Sequence, residues 1–271
     1  MNNTNEFRWP DGARTVVAVT IHVDGPSVQI GRGENGLGRS SRGRYAIRRG
    51  VPRYLEMMSR LNIPATFFVC GYDVETFPDL YRQIATKGYE LAAHGYHHEN
   101  WDLGDTEPAL LEQTHRIIVE ITGQSPVGWC SPSGRKSAYT LPVLQRLGYI
   151  YDASEKDRDE PYFSDDKKNF VILPNNTVSL DDFPVYESGR ALASELLDMW
   201  RSEYHAISQS EGYLQLTIHP MAGDGSGPPS RAAVVETFLT ELKAEPDVHF
   251  LNMRDLARHC LNNPHHWAQA T

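Results

Sequence analysis

Three histidines fall within one five-residue segment, His94-Gly95-Tyr96-His97-His98. His94 and His98 are four residues apart, and on a helical turn that spacing puts both side chains on one face, close enough to share a metal ion. His94 and His97 form the competing pair. Zinc and similar divalent ions favour neutral imidazole, commonly with a carboxylate as third ligand, and such a set leaves positions for water and substrate. The alternative interpretation is a solvated, histidine-rich turn.

A carboxylate that could complete this set follows the apolar run Thr15–Val23. His22 and Asp24 are two residues apart, so on a strand their side chains face the same side. Gly25-Pro26 then breaks the strand and turns the chain. A simple Asp-Gly-Pro turn is the alternative, because such turns are common.

Other polar side chains also come directly after apolar runs. His94, Ser131, Asp152 and His219 each follow one. In an α/β barrel the carboxyl ends of the strands form one mouth, where active sites lie. A lone histidine such as His219 is more often structural, but its expected place at this mouth favours a functional role. We therefore expect these segments to converge on one site with Asp24.

The rest of the chain alternates short β-rich runs with helical patterns. The sequence predicts strands at Thr15–Ile21, Ala65–Cys70, Tyr89–Ala93, Gly128–Cys130, Tyr149–Tyr151, Val171–Leu173, Tyr213–Ile218 and His249–Leu251. It predicts helices at Arg49–Leu61, Pro78–Thr86, Pro108–Ile121, Leu141–Leu147, Arg190–Ile207 and Ala232–Lys243. This alternation indicates parallel βαβ units, and their number favours an irregular barrel of about seven or eight strands in a single domain spanning residues 1–271.

Composition excludes several partners. The chain has 271 residues and a formal net charge of -9, which disfavours binding to nucleic acid. No apolar stretch approaches the length of about 18 residues that a membrane span needs. The three cysteines are far apart and odd in number, so no disulfide framework is indicated. The first residues lack a signal-peptide pattern, and we expect a cytoplasmic protein.

The chain resembles the polysaccharide deacetylase superfamily, carbohydrate esterase family 4, over nearly its whole length. Val23-Asp24-Gly25-Pro26 matches the second half of that family's first motif, and the His94–His98 spacing matches its second. Ser131-Pro132-Ser133 and His219-Pro220 look like its third and last motifs. The resemblance implies a deformed (β/α) barrel and one zinc or similar divalent ion held by Asp24, His94 and His98. It also implies that His219 is the catalytic acid.

Finer features resemble one branch of that superfamily, which includes cyclic imide hydrolases, allantoinase-like enzymes and an atypical peptidoglycan deacetylase. Among them are Gly43-Arg44-Tyr45, Tyr151-Asp152-Ala153-Ser154 and Asp181-Asp182-Phe183-Pro184. By this resemblance we expect substrate contacts from Arg44, Tyr45, Ser131, Pro132 and Asp182, and a homo-oligomer, typically a tetramer. The Arg-rich stretch Gly31–Arg49 is interpreted either as a solvated loop or as a cover for the pocket or a subunit contact.

Two positions depart from the family pattern. The family's base, an aspartate one or two residues before the metal aspartate, is replaced by Val23 and His22. Cys130 stands where an arginine usually orients that base. Replacing both removes an ion pair as a unit and leaves no unpaired buried charge. His22 is then a candidate base, since its unperturbed pKa is about 6.5, or a fourth metal ligand, or a residue that only fills space.

These observations predict a metal-dependent hydrolase of non-peptide amide or imide C–N bonds, with His22 as base and His219 as acid. A bound divalent ion lowers the pKa of water and polarises a carbonyl. The preferred substrate is a small cyclic imide or ureide. The alternatives are an N-acetylated sugar or peptidoglycan, and an inactive homologue that binds a metal or a small molecule without turnover.

Overall fold

The computed structural model describes residues 8–175, 178–187, 191–210 and 212–269. One sheet runs through this part of the chain. Its strands are β1 Thr15–Val23, β2 Ala65–Val69, β3 Glu90–Ala93, β4 Gly128–Trp129, β5 Tyr151–Asp152, β6 Tyr162–Phe163, β7 Val171–Ile172, β8 Tyr213–Ile218, β9 Val248–Phe250 and β10 Ala268–Gln269. The α-helices are α1 Ser27–Gly31, α2 Arg42–Tyr45, α3 Val51–Leu61, α4 Gly71–Thr76, α5 Pro78–Thr86, α6 Glu107–Thr122, α7 Thr140–Arg146, α8 Asp182–Glu187, α9 Ala193–Ser208, α10 Pro229–Ala244 and α11 Met253–Asn262.

The strand order is β10-β6-β7-β5-β4-β3-β2-β1-β8, and β9 pairs with the first residues of β1. Every pair is parallel except β6 with β7. The curled, mostly parallel sheet with helices packed on it confirms the predicted α/β fold, a deformed (β/α) barrel. All eight predicted strands are present, and β6 and β10 are two-residue additions that sequence patterns did not indicate.

Strand β1 is at the centre of the packing, and all nine of its residues are buried. Alternate residues point to opposite faces of the sheet. Val17, Val19, Ile21 and Val23 pack with the large core cluster. Val16 and Ala18 belong to a second cluster on the other face. His22 has the same parity as Val16, so it lies on that second face, at the carboxyl end of the strand.

The stretch after β1 is more helical than expected. Helix α1 ends where the Arg-rich stretch begins, and that stretch contains α2 and most of a π-helical turn, Ala46–Gly50, that runs directly into α3. The predicted helix from Arg49 to Leu61 is therefore the last part of a longer helical segment. The helix predicted from Arg190 begins at Ala193, and Arg190 itself lies outside the described residues. Within the described ranges, no helix is long and apolar enough to cross a membrane.

Candidate active site

The candidate metal ligands and the candidate acid lie together at the carboxyl ends of neighbouring strands. Asp24 follows β1, His94 follows β3, and His219 follows β8. His94 and His219 are buried, as are Asp24 and His22. The expected convergence at one mouth of the sheet is therefore present for these side chains.

Asp24, His94 and His98 have the geometry of a metal-binding set. Asp24 Oδ1 lies 3.7 Å from His94 Nε2 and 3.6 Å from His98 Nε2. One ligand atom from each residue lies within 4.8 Å of the others. Ligand atoms of a tetrahedral zinc site with bonds of about 2.0–2.1 Å are separated by roughly 3.3–3.4 Å, so only small movements are needed to close on an ion.

The electrostatics of these residues also fit a cation. Burial is the main cause that lowers the pKa of His94, to about 3, and that of His98, to about 4. Both rings are thus neutral near pH 7, which is the metal-binding form. His94 Nδ1 donates to the Cys130 carbonyl at 2.6 Å, which leaves Nε2 free to bind metal. Asp24 Oδ1 is buried and accepts no hydrogen bond from the described residues, as expected of an atom that needs a cation.

The segment that presents these ligands is a loop, so the helical turn expected for His94 to His98 is wrong. Gly95 has φ 74° and His98 has φ 55°, both in the left-handed region, which a right-handed helix does not allow. The Glu99 carboxylate accepts the backbone N–H of Tyr96 at 3.1 Å and of His97 at 2.8 Å. This compact loop, in place of a helical turn, brings His94 and His98 next to Asp24.

His219 is held by the carboxylate of Asp182. Its Nδ1 lies 2.7 Å from Asp182 Oδ1, and its backbone N–H donates to the same carboxylate. Its Nε2 points toward the metal set, 4.0 Å from Asp24 Oδ2. Burial alone lowers the pKa of His219, but the charges of Asp181 and Asp182 outweigh burial and raise it to about 10. His219 is therefore protonated near neutral pH and can donate a proton from Nε2.

Asp182 does not lie where the sequence placed it. It is fully buried behind His219 and also accepts the backbone N–H of Ser226 at 2.7 Å. These bonds leave it no face toward a substrate, so its predicted role as a substrate contact is corrected to one of orienting His219. Its neighbour Asp181 lines the cavity instead. The Asp-Asp pair was a sequence signal, but only the structure distinguishes the two residues.

His22 lies beside the metal set without a polar partner. Its Nε2 is buried and makes no hydrogen bond to any described residue. Its ring packs 4.9 Å from that of His94 and 5.2 Å from that of His219, measured between centroids. Burial, reinforced by these two histidines, holds the pKa of His22 well below 6.5, so the ring is neutral. A neutral ring with a free nitrogen suits either a base or a ligand.

Cys130 replaces the usual arginine with an inert group. It is buried, and burial raises the pKa of its thiol, so the thiolate is not formed near neutral pH. A His22 nitrogen, a His94 nitrogen and the Cys130 sulfur nevertheless lie within 4.8 Å of one another. The paired departure from the family pattern thus leaves a compact, uncharged corner beside Asp24.

A cavity of about 420 Å³ opens onto these groups. Ser131 lines it, as predicted, together with Lys156 and with Arg32 and Arg42 from the Arg-rich stretch, for which covering the pocket was one of the expected roles. Those three cations follow no strand end, so only the folded loops bring them to the cavity.

Three other predicted substrate contacts lie outside this cavity. Pro132 lines a neighbouring cavity of about 540 Å³ with Trp101 and Trp129. Tyr45 contacts the Gly227 carbonyl through its hydroxyl at 3.4 Å. Arg44 has a buried Nε without a partner in the described part of the chain. Within one chain, Arg44, Tyr45 and Pro132 therefore do not line the cavity of His219, because α2 directs Arg44 and Tyr45 elsewhere and the turn after β4 directs Pro132 to its neighbour.

Known proteins of one family match this chain. A family model described as polysaccharide deacetylase matches residues 43–151. The chain is 33% identical to a provisionally assigned polysaccharide deacetylase from Mycobacterium smegmatis, whose crystal structure superposes with a TM-score of 0.86 over 97% of this chain and 95% of that one. It is 26% identical to a peptidoglycan deacetylase of Helicobacter pylori over 89% of this chain and 94% of the relative. The structure of Puue allantoinase, 22% identical with a TM-score of 0.82 over 95% of this chain and 94% of that one, shows the same fold.

Proposed function

Since this chain belongs to the polysaccharide deacetylase family, we propose that it hydrolyses an amide-type C–N bond with one divalent ion held by Asp24, His94 and His98. The observation that supports this most directly is the juxtaposition of those three ligands with a protonated His219 on one cavity. A bound divalent ion, for which zinc is our candidate, supplies Lewis acidity toward water and the substrate carbonyl.

His219 provides the proton for the leaving group. Hydrolysis places a hydroxyl on the carbonyl carbon and a proton on the departing nitrogen. A departing amine needs that proton because an amide anion is a very poor leaving group. His219 Nε2 carries the proton, while Asp182 at Nδ1 stabilises the charged ring.

His22 is our candidate for the opposite proton transfer. It is neutral, lines the cavity and has an Nε2 that bonds to no described residue. A general base must be unprotonated and within reach of the attacking water. In this arrangement His22 removes a proton from water as the water attacks, and His219 gives one to the nitrogen, so the two histidines have opposite protonation states before reaction.

We favour an N-acetylated sugar as substrate. The Helicobacter pylori relative, which aligns along nearly its whole length, is a peptidoglycan deacetylase. A cavity of about 420 Å³ is within the usual range for small-ligand sites and holds one substituted sugar ring.

A small cyclic imide or ureide, the substrate preferred from the sequence, remains our second candidate. The observation in its favour is the replacement of the family's aspartate base by His22, together with the uncharged Cys130. An imide carbonyl is more electrophilic than an ordinary amide carbonyl, so attack by water makes a weaker demand on the base.

One experiment separates these proposals. The purified, metal-supplemented protein is assayed for acetate release from N-acetylglucosamine oligomers and peptidoglycan, and for ring opening of succinimide, hydantoin and allantoin. We expect acetate release, abolished in His219→Gln, whose side chain has no dissociable proton to give. Ring opening alone would replace the first substrate by the second. No turnover of any of these substrates, with the ion bound, would identify an inactive homologue and refute the proposed hydrolysis.

A further inference from the structure

A single helical segment, residues 42–61, contacts both loops that carry the reacting groups. It comprises α2, the π turn Ala46–Gly50 and α3. One of these loops follows Asp24, and the other follows His219. We propose that this segment, called here the helical brace, is a positioning element that fixes the metal ligand Asp24 against the acid His219. Its role in turnover rests on the proposed function.

The first contact is at Gly43, which lies against the turn after Asp24. A Cβ at this glycine would be 2.0 Å from the Gly25 carbonyl oxygen and 2.7 Å from Pro26 Cα. Both neighbours are backbone atoms, so no side chain can rotate to make room. Gly25 itself has φ +50°, and a Cβ there would be 2.1 Å from the Asp73 carboxylate, so this turn is also closely packed on its other side.

The second contact is at Gly50, which lies against the residue after His219. A Cβ at Gly50 would be 1.9 Å from the Pro220 carbonyl oxygen. An alanine here would displace backbone directly bonded to the proposed acid. Glycine is less favourable than alanine inside a helix, so Gly43 and Gly50 lower the helix propensity of this segment. Because they lack a Cβ, they allow these close approaches of backbone.

A chain of hydrogen bonds extends the second contact to the imidazole. Tyr54, wholly buried in α3, donates from its hydroxyl to the Ser226 carbonyl at 2.8 Å. The backbone N–H of Ser226 donates to Asp182 Oδ2 at 2.7 Å. Asp182 Oδ1 in turn bonds His219 Nδ1 at 2.7 Å. The brace is thereby connected to the acid through two intermediate residues.

The π turn explains how one helical segment can serve two loops. Pro52 has no N–H and its ring opposes the carbonyl of the preceding turn, which disfavours a regular helix there. The chain instead forms a π turn in which the Val51 N–H bonds to the Ala46 carbonyl. One inserted residue rotates the faces on either side by about 100° relative to each other. Gly43 and Gly50 therefore point to different loops.

The metal side of the proposal is tested without turnover. Gly43→Ala is compared with Gly223→Ala, a matched control in which the new Cβ would meet only Arg42 atoms at 3.8 Å. Binding of Zn²⁺ to metal-free protein is measured by calorimetry. We expect the Zn²⁺ affinity of Gly43→Ala to be at least about 10-fold weaker than that of the wild type, which is the usual effect of losing a residue that orients a metal ligand. The affinity of Gly223→Ala should change little. Because this arm needs no activity, it decides the proposal even if the proposed hydrolysis fails.

The acid side is tested with two acetyl compounds of similar shape. p-Nitroacetanilide needs a proton on its leaving nitrogen, whereas p-nitrophenyl acetate releases a stable phenolate without one. We expect Gly50→Ala and Tyr54→Phe to lower kcat on the anilide by about 10-fold or more, with KM and ester hydrolysis nearly unchanged. Tyr54→Phe removes only one hydroxyl, so it serves if the alanine variant does not fold.

Either arm can overturn the proposal. Wild-type Zn²⁺ affinity in Gly43→Ala would show that the first contact does not position Asp24. Equal loss on ester and anilide in Tyr54→Phe would show general damage and not a displaced acid. Normal rates on both compounds in that variant would show that the hydrogen-bond chain does not act on His219.

Discussion

His22 has two neighbours that constrain what it can do, the proposed metal ligand His94 and the proposed acid His219. If His22 is the base, His22→Ala should lower kcat by about 10² to 10⁴ with the bound ion retained. If it is a ligand, the same change should first weaken metal binding, and added metal should restore activity. If it only packs, His22→Asn should keep both rate and metal. Measuring kcat and metal content on the two variants decides among these roles, and full activity in His22→Ala with metal in place eliminates the base.

His98 and His97 are adjacent histidines with different surroundings. His98 Nε2 faces Asp24, whereas the ring of His97 packs on Tyr72 with centroids 5.0 Å apart. We expect His98→Ala to lose most of about one equivalent of metal, because three ligands become two. His97→Ala is the matched control and should keep it. Elemental analysis of both proteins tests this, and full occupancy in His98→Ala would contradict the assigned ligand set.

Asp181 and Asp182 together raise the pKa of His219, and Asp182 is the one whose carboxylate bonds to its Nδ1. The Asp182→Asn change removes an anion at His219 Nδ1, so the pKa of His219 should fall from its value of about 10. A lower pKa means that the proton is lost at lower pH, and the basic limb of the kcat–pH profile should move down by about one unit or more. A variant profile that overlays the wild type would refute the pairing as the cause.

The pairing of Asp182 with His219 should also affect how the free energy of unfolding depends on pH. The pKa of His219 is raised above its unfolded value of about 6.5, so the stabilisation is complete below that pH and is lost as the pH rises through about 10. The free energy of unfolding of the metal-free protein should therefore fall between pH 7 and 10, and fall less in Asp182→Asn. Parallel denaturation curves for the two proteins across that range would contradict this expectation.

At the scale of elements, the loop from His94 to Glu99 places His94 and His98 beside Asp24, as a helical turn was expected to do. Glu99 is buried and accepts two backbone N–H groups of the loop. Glu99→Ala leaves these groups without their acceptor and should loosen the loop, with metal affinity about 10- to 100-fold weaker. Glu75→Ala, which removes only the bond to the Tyr96 hydroxyl, is the control and should bind normally. Unchanged metal affinity in Glu99→Ala would mean that the loop holds its shape without this carboxylate.

The sequence predicted the regular strands and the ligand spacing but not the irregular backbone. All nine residues of β1 are buried, as its nearly continuous apolar run indicated, and β8 was placed with its observed bounds, because a short apolar run reports a buried strand. The left-handed backbone at His98 and the π turn before Val51 depend on tertiary contacts. The spacing of apolar residues along the sequence carries no information about such contacts. Asp182 was identified as important, but its partner His219 is far away in sequence, so its role could not be derived.

At the scale of the whole molecule, the state of assembly is a prediction from family resemblance. The loop after α1 exposes Leu37, at 61% of its surface, and the short 3-10 turn that follows exposes the cation Arg39. Packing such an apolar side chain against a second subunit would remove it from water, which is favourable. We expect native mass measurement to show a homo-oligomer, typically a tetramer, and Leu37→Asp to weaken it. A monomer at micromolar concentration would contradict this expectation.

Strand β1 also affects the order in which the chain can fold. Its partner β2 is the next strand along the chain, but β8, which pairs with its other edge, lies roughly 200 residues later, and β9 lies later still. At about 5–20 residues per second, a ribosome needs about 10–40 s to synthesise that interval. During this time a nine-residue apolar strand has one unpaired edge, the kind of surface on which nascent chains aggregate. Asp24, His94 and His98 are all synthesised well before His219, so the proposed metal-binding half of the site can assemble on the nascent chain before the proposed acid exists.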